Sequence, residues 1–111
     1  MIVDAEELLE EVEDDREMLA QMFQIFEGDA GGRVARIRSA IEAGDSNTLM
    51  EEAHALKGGI GNFFADVPFD TAYRLETLGK EGNVSGAFAV LAELEGQLDT
   101  LKTEIRQLIS G

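Results

Sequence analysis

The stretch Glu52-Ala53-His54-Ala55-Leu56-Lys57-Gly58-Gly59-Ile60-Gly61-Asn62-Phe63-Phe64-Ala65 decides the reading of this chain, because it patterns as a helix yet sets three glycines beside the only histidine. At about 100° of rotation per residue, Leu49, Ala53, Leu56, Ile60, Phe63 and Val67 fall on one narrow stripe, which predicts a helix that turns that stripe into a bundle interior. By the same count His54 lies about 145° from the middle of the stripe, so its ring is expected on the outer face. Gly58 and Gly61 share that face, within roughly 40° of His54, and Lys57 stands at i+3.

Outward from this segment, turn residues divide the chain into further helices. A short first segment is predicted from Asp4, a good N-cap, to about Glu13, with acids suited to the positive end of a helix dipole. A long second segment spans about Asp15 to Ala43, with Met18, Met22, Ile25, Phe26, Val34, Ile37 and Ile41 as its apolar stripe. Gly28, Gly31 and Gly32 predict a bend or local loosening in its middle. Gly44 reads as a C′ residue, and Asp45 or Ser46 as the cap of the third segment, which is expected to reach Ala65. Pro68 starts a fourth segment to Lys80, with Ala72, Leu75 and Leu78 on one face. Gly82-Asn83 signals a turn, and the last segment runs from about Val84 to Ile109 on a stripe of Phe88, Leu91, Leu94, Leu98, Leu101, Ile105 and Leu108. Short connections between four sizeable helices predict an all-α protein, one domain over residues 1–111. The expected architecture is an antiparallel up-down four-helix bundle with an additional short N-terminal helix.

Composition narrows the function. Nine basic and 23 acidic residues give a formal charge of −14, which opposes nucleic acid and anionic membranes as partners. The absence of cysteine excludes disulfides and thiolate chemistry, and a single histidine excludes multi-histidine metal centres. No apolar run is long enough to cross a membrane, and the acidic N-terminus is unlike a secretory signal, so the expected compartment is cytoplasmic. The acidic run from Glu6 to Asp15 reads as a solvated helix face.

The glycines beside His54 need a reason, since each costs a helix about 1 kcal/mol relative to alanine. On a water-facing surface a side chain would meet no steric objection. Bare positions beside a lone outward imidazole therefore suggest a bulky group that must approach the ring, and Lys57 suggests that the group is anionic. Neutral imidazole is a nucleophile near neutral pH, and phosphoryl transfer asks mainly for positioning and charge stabilisation. His54 and Lys57 suffice for the acceptor half of such a reaction. No glycine-rich nucleotide loop or metal-binding carboxylate cluster is evident, so no autonomous kinase activity is expected.

His54-Ala55-Leu56-Lys57-Gly58 resembles the H-x-L-K-G signature of the histidine-containing phosphotransfer (HPt) domain. The resemblance extends to Ala53, Gly61-Asn62, Leu75-Glu76 and the Gly82-Asn83 turn, and covers nearly the whole chain. It implies a phosphorelay intermediate in which His54 accepts a phosphoryl group from a receiver-domain aspartate and passes it to another receiver. Lys57 would neutralise the phosphoryl oxygens and Gly58 would keep the approach open, with Gly61 as a lesser candidate. Partners would be a response-regulator receiver domain, a hybrid sensor histidine kinase, or both. No intrinsic cofactor is implied, because magnesium belongs to the receiver, and the protein is expected to be monomeric. Two positions depart from the pattern: Gly59 stands where Ser or Ala is common, and Phe64 where Gly is common.

Met50, Gly61, Phe64 and Ala65 fall near the His54 face and are expected to form an apolar docking ring around it, with a core position as the equal alternative for Phe64. Gly59 reads as a site of close helix packing. Glu76 reads as a solvated carboxylate, with orientation of the other His54 nitrogen as the alternative. The competing functional reading is a non-catalytic helical module that docks a receiver or kinase without being phosphorylated.

Overall fold

The computed structural model describes residues 1–111 and contains five helices and no strand: α1 (Ala5–Glu11), α2 (Arg16–Ala43), α3 (Ser46–Gly61), α4 (Asp66–Lys80) and α5 (Ala87–Ser110). Aspartates cap the first three. Asp4, Asp15 and Asp45 accept hydrogen bonds from the backbone N–H of Glu7, Met18 and Thr48 at 3.0–3.1 Å, satisfying amides that the helix itself leaves unpaired. Gly44 ends α2 at φ +70°, a left-handed conformation that glycine adopts without strain.

Helices α2 to α5 pack antiparallel around one core, and cross-helix pairs give the direction. Arg16, at the start of α2, donates to the carbonyl of Leu108 near the end of α5, whereas Arg38, near the end of α2, pairs with Glu95 early in α5. Arg33 of α2 meets Glu52 of α3 at 2.9 Å, and Arg74 of α4 meets Glu93 of α5 at 2.9 Å. Leu19, Ile37, Leu49, Leu56, Ile60, Leu75, Leu91, Leu94, Leu101 and Ile105 are sealed inside, together with Leu8 from α1. Small residues on α3 and α4, Ala53 and Ala72, are equally buried and let the helix axes approach.

The chain's beginning is tied across one end of the bundle. The N–H groups of Ile2 and Val3 donate to the buried carboxylate of Glu104 on α5 at 3.1 and 2.9 Å. The N–H of Asp4 donates to the carbonyl of Phe64 at 2.8 Å. That bond fixes the turn leaving α3, where Phe64 sits at φ +53°.

Several sequence expectations are corrected. Helix α2 runs unbroken through Gly28, Gly31 and Gly32, which lie on its solvent face while Phe26, Ala30 and Ile37 anchor the other face in the core. Its buried stripe is Leu19, Phe23, Phe26, Ala30, Ile37, Ala40 and Ile41, while Met18 and Ile25 are exposed. Helix α3 stops at Gly61 instead of Ala65, so Val67 does not continue its stripe and stands exposed in the first turn of α4. Helix α5 begins at Ala87 instead of Val84. Ala87 is buried there and Phe88 faces outward.

Candidate functional site

His54 stands on α3 with its side chain 67% exposed, the outward placement that the stripe geometry requires. The face around it is bare: a Cβ built on Gly58, one turn on, would meet nothing within 4 Å. Gly59 is bare for a different reason, since a Cβ there would lie 3.2 Å from the ring of Phe26. Phe26 in turn packs edge-on against Phe63 at 5.3 Å between centroids. Gly59 thus serves the α2–α3 packing expected of it, and Gly58 alone of the two opens the surface.

Helix α4 supplies the other half of the site. Phe69, Tyr73, Glu76 and Lys80 recur at intervals of four, three and four, which places them along one edge of α4 facing α3. Their neighbours Ala72, Leu75 and Gly79 face the core. At Gly79 the helices come so close that a Cβ would fall 2.7 Å from the Met50 backbone nitrogen. Met50 is one turn before His54 and Gly79 is one turn after Glu76 on an antiparallel helix. The contact therefore draws the imidazole and the carboxylate together: Nδ1 of His54 lies 3.2 Å from Oε1 of Glu76.

Glu76 is the centre of the arrangement, with its side chain only 4% exposed. Oε1 also accepts from Nζ of Lys57 at 2.7 Å, and Oε2 pairs with Nζ of Lys80 at 3.1 Å. Burial pushes the Glu76 pKa up, but the hydrogen bonds from Lys57, Lys80 and His54 outweigh it and hold the carboxyl at about 2. Glu76 is therefore ionised at neutral pH and has no proton to give. Nδ1 of His54 must be the donor in their contact, which leaves Nε2 of the neutral ring with its lone pair free. The remaining face of Lys57 is covered by aromatic rings, with Nζ 4.7 Å from the Tyr73 centroid and 5.8 Å from that of Phe69.

The residues singled out from sequence divide here. His54, Lys57 and Gly58 share one turn of α3, but the Lys57 ammonium rests on Glu76 instead of pointing freely outward. Gly61 is exposed, with Phe69 3.4 Å from where its Cβ would be. Met50 is half-buried against α4, and Phe64 is half-buried in the turn after α3. Ala65 is buried at 2% and offers no surface to a partner, a correction that follows from α3 ending four residues early. Glu76, read as solvated, is instead buried and bonded to His54; only a second helix brought alongside makes that evident. The spacing of Phe69, Tyr73, Glu76 and Lys80 was the available signal, because a carboxylate inside an aromatic-flanked stripe is unusual on a water-facing edge.

Three comparisons with known proteins bear on this geometry. The family model described as "Hpt domain" matches residues 21–107. Among solved structures, histidine-containing phosphotransfer protein B (HptB) from Pseudomonas aeruginosa PAO1 resembles this chain in fold. Its TM-score is 0.79 at 24% sequence identity, over 97% of this chain and 94% of the other. Comparison with curated proteins gives no match.

Proposed function

The chain belongs to the Hpt domain family and has a role in phosphorelay, and from that premise we propose that His54 is the residue that carries the phosphoryl group. The observation that supports this most directly is the ionised, buried Glu76 at Nδ1, which fixes the ring in the tautomer whose Nε2 is both outward and nucleophilic. The donor is an aspartyl phosphate of a receiver domain. The Nε2 lone pair attacks phosphorus, the N–P bond forms as the P–O bond to the donor carboxylate breaks, and that carboxylate leaves with the electron pair. The proton on Nδ1 stays in place. Positive charge developing on the ring is stabilised by Glu76 through the existing hydrogen bond. Attack by a second receiver's aspartate on phosphorus reverses these changes and restores the neutral imidazole.

Gly58 leaves room for the receiver's active-site loops to reach Nε2. Lys57, within one turn, is the cation available to the phosphoryl oxygens. Magnesium is assigned to the receiver; of the carboxylates beside His54, the one bonded to the ring, Glu76, is already held by two lysines. Receivers and hybrid kinases are the partners on this reading, met in the cytoplasm by a monomer. No helix is long and apolar enough to cross a membrane.

The test is incubation of the protein with a phosphorylated receiver domain. An acid-labile, base-stable phosphoryl adduct should form and should be missing from His54→Gln. Uptake undiminished in that variant defeats the assignment and leaves docking without phosphorylation.

A further inference from the structure

We infer that Lys80 is a positioning residue for phosphoryl transfer: it keeps the buried Glu76 charge-compensated while Lys57 leaves that carboxylate for the incoming phosphoryl group. The inference rests on the reading of His54 as the phosphoryl carrier. Its own basis is the way three groups divide the two oxygens of one carboxylate. His54 Nδ1 and Lys57 Nζ both sit on Oε1, at 3.2 and 2.7 Å, whereas Lys80 Nζ holds Oε2 at 3.1 Å. With the ring neutral, the cluster carries two positive charges against one negative. Each lysine holds its own oxygen of Glu76, so the carboxylate keeps one cation when the other turns to an anionic group arriving at Nε2.

Lys57 cannot serve both anions fully. If it turns to the phosphoryl oxygens with no other cation present, Glu76 is left 4% exposed with only the ring N–H as partner. An uncompensated buried carboxylate is costly, so Lys57 would be held back. Lys80 removes that obstacle, because it reaches the far oxygen and does not compete with His54 for Oε1. Its position suits the task. Lys80 is the last residue of α4, 55% exposed, and bonded to Glu76 across one helical turn. It lines, with Met50, Glu51, His54 and Glu76, a shallow cleft of about 320 Å³ beside the imidazole. The groups bonded to Glu76 are thus His54 and Lys57 from α3 and Lys80 from its own helix, with Glu51 of α3 lining the same cleft.

A bland role for Lys80 exists, namely a cation at the negative end of α4, and a docking role for an acidic receiver is a third. One set of measurements on the full chain separates them. Wild type, Lys80→Gln, Lys80→Arg and His54→Gln are loaded with phosphoramidate, a small donor with no docking surface. In parallel, ¹⁵N spectra of the unphosphorylated proteins report which ring nitrogen of His54 bears the proton. We expect loading of Lys80→Gln to slow by roughly tenfold, the order seen when groups orienting an active-site ligand are removed. Its His54 should shift from Nδ1–H toward Nε2–H, because a freed Glu76 rotates to share both oxygens with Lys57. Lys80→Arg should stay within about twofold of wild type, since a guanidinium reaches the same oxygen. Lys80→Gln that matches wild type in loading rate and tautomer overturns the inference, as does slowing seen only with a receiver as donor, which marks a docking lysine. Failure of wild type to load, or loading of His54→Gln, overturns the assignment of His54 instead, and the tautomer spectra then still decide whether Lys80 positions Glu76.

Discussion

Met50 and Gly79 are in direct contact between α3 and α4, with room for no atom between the Gly79 Cα and the Met50 backbone. A Cβ on residue 79 would lie 2.7 Å from the Met50 nitrogen and 2.8 Å from its Cα. Backbone on both sides leaves nothing flexible to move aside. This contact sets the spacing at which His54 meets Glu76, one turn away on each helix.

Gly79→Ala should therefore force the helices apart. Over-packing of this kind costs about 1–3 kcal/mol or more, set against a gain in helix propensity of only about 1 kcal/mol. The urea midpoint should fall, and phosphoryl uptake by the folded fraction should slow as the His54–Glu76 bond lengthens. A midpoint equal to or above wild type would show that the approach at Gly79 is unimportant.

Gly58 gives the opposite result. With nothing within 4 Å of its absent Cβ, Gly58→Ala should stabilise the protein by about 1 kcal/mol through helix propensity alone. Gly58→Gln should slow transfer from a receiver domain while leaving loading from a small phosphodonor much closer to wild type, because only the larger donor needs the cleared surface. Equal rates with the receiver would contradict the idea that the bare face serves its approach.

Glu76→Gln retains the shape of the side chain and removes its charge. An amide can donate as well as accept, so Nδ1 of His54 is no longer obliged to carry the proton. Phosphoryl uptake should fall by roughly tenfold to a hundredfold. Stability should fall by about 2 kcal/mol, less than for a fully buried pair because Lys80 keeps access to water. Stopped-time phosphorylation assays and urea denaturation check the two effects separately. Wild-type uptake in this variant would remove Glu76 from the mechanism.

Acid should reveal the same carboxylate. The pKa of Glu76 is about 2 in the folded protein, below the ordinary value of 4.5, so its network stabilises the fold above that ordinary value and loses its effect as pH falls toward 2. Between pH 6 and pH 3 the loss should be about 2 kcal/mol. The formal charge of −14 works the other way, since acid also relieves repulsion among carboxylates. The informative quantity is therefore the difference between wild type and Glu76→Gln, measured by urea unfolding at each pH. That difference should shrink in acid, and a constant difference would be inconsistent with an ionised Glu76.

Sequence alone carried the helices, the bundle and the outward histidine. Amphipathic spacing is a local property, so Leu49, Ala53, Leu56 and Ile60 determined the inner face of α3 and, by subtraction, the direction of His54. Capping aspartates and Gly44 marked boundaries because their effect is confined to one helical turn. Periodicity misjudged positions where two stripes compete, which is why Met18 and Ile25 of α2 and Phe88 of α5 were expected inside and stand outside. It also ran α3 four residues too far, and so offered the buried Ala65 as surface.

What the tertiary structure alone decided is the partner of the imidazole. Glu76 is 22 residues from His54 in the chain, and its spacing on α4 does not by itself single it out as the imidazole's partner among 23 acidic residues. The edge of α4 that carries Phe69, Tyr73, Glu76 and Lys80 is legible as a spacing, but the burial of Glu76, its three hydrogen-bonded neighbours and the proton it imposes on Nδ1 arise only when α4 is laid antiparallel to α3 at the distance that Gly79 permits. The sequence determined which residue faces outward, because that depends on rotation within one helix. Which nitrogen of that residue is free depends on the field of another helix, and only packing brings that field to bear.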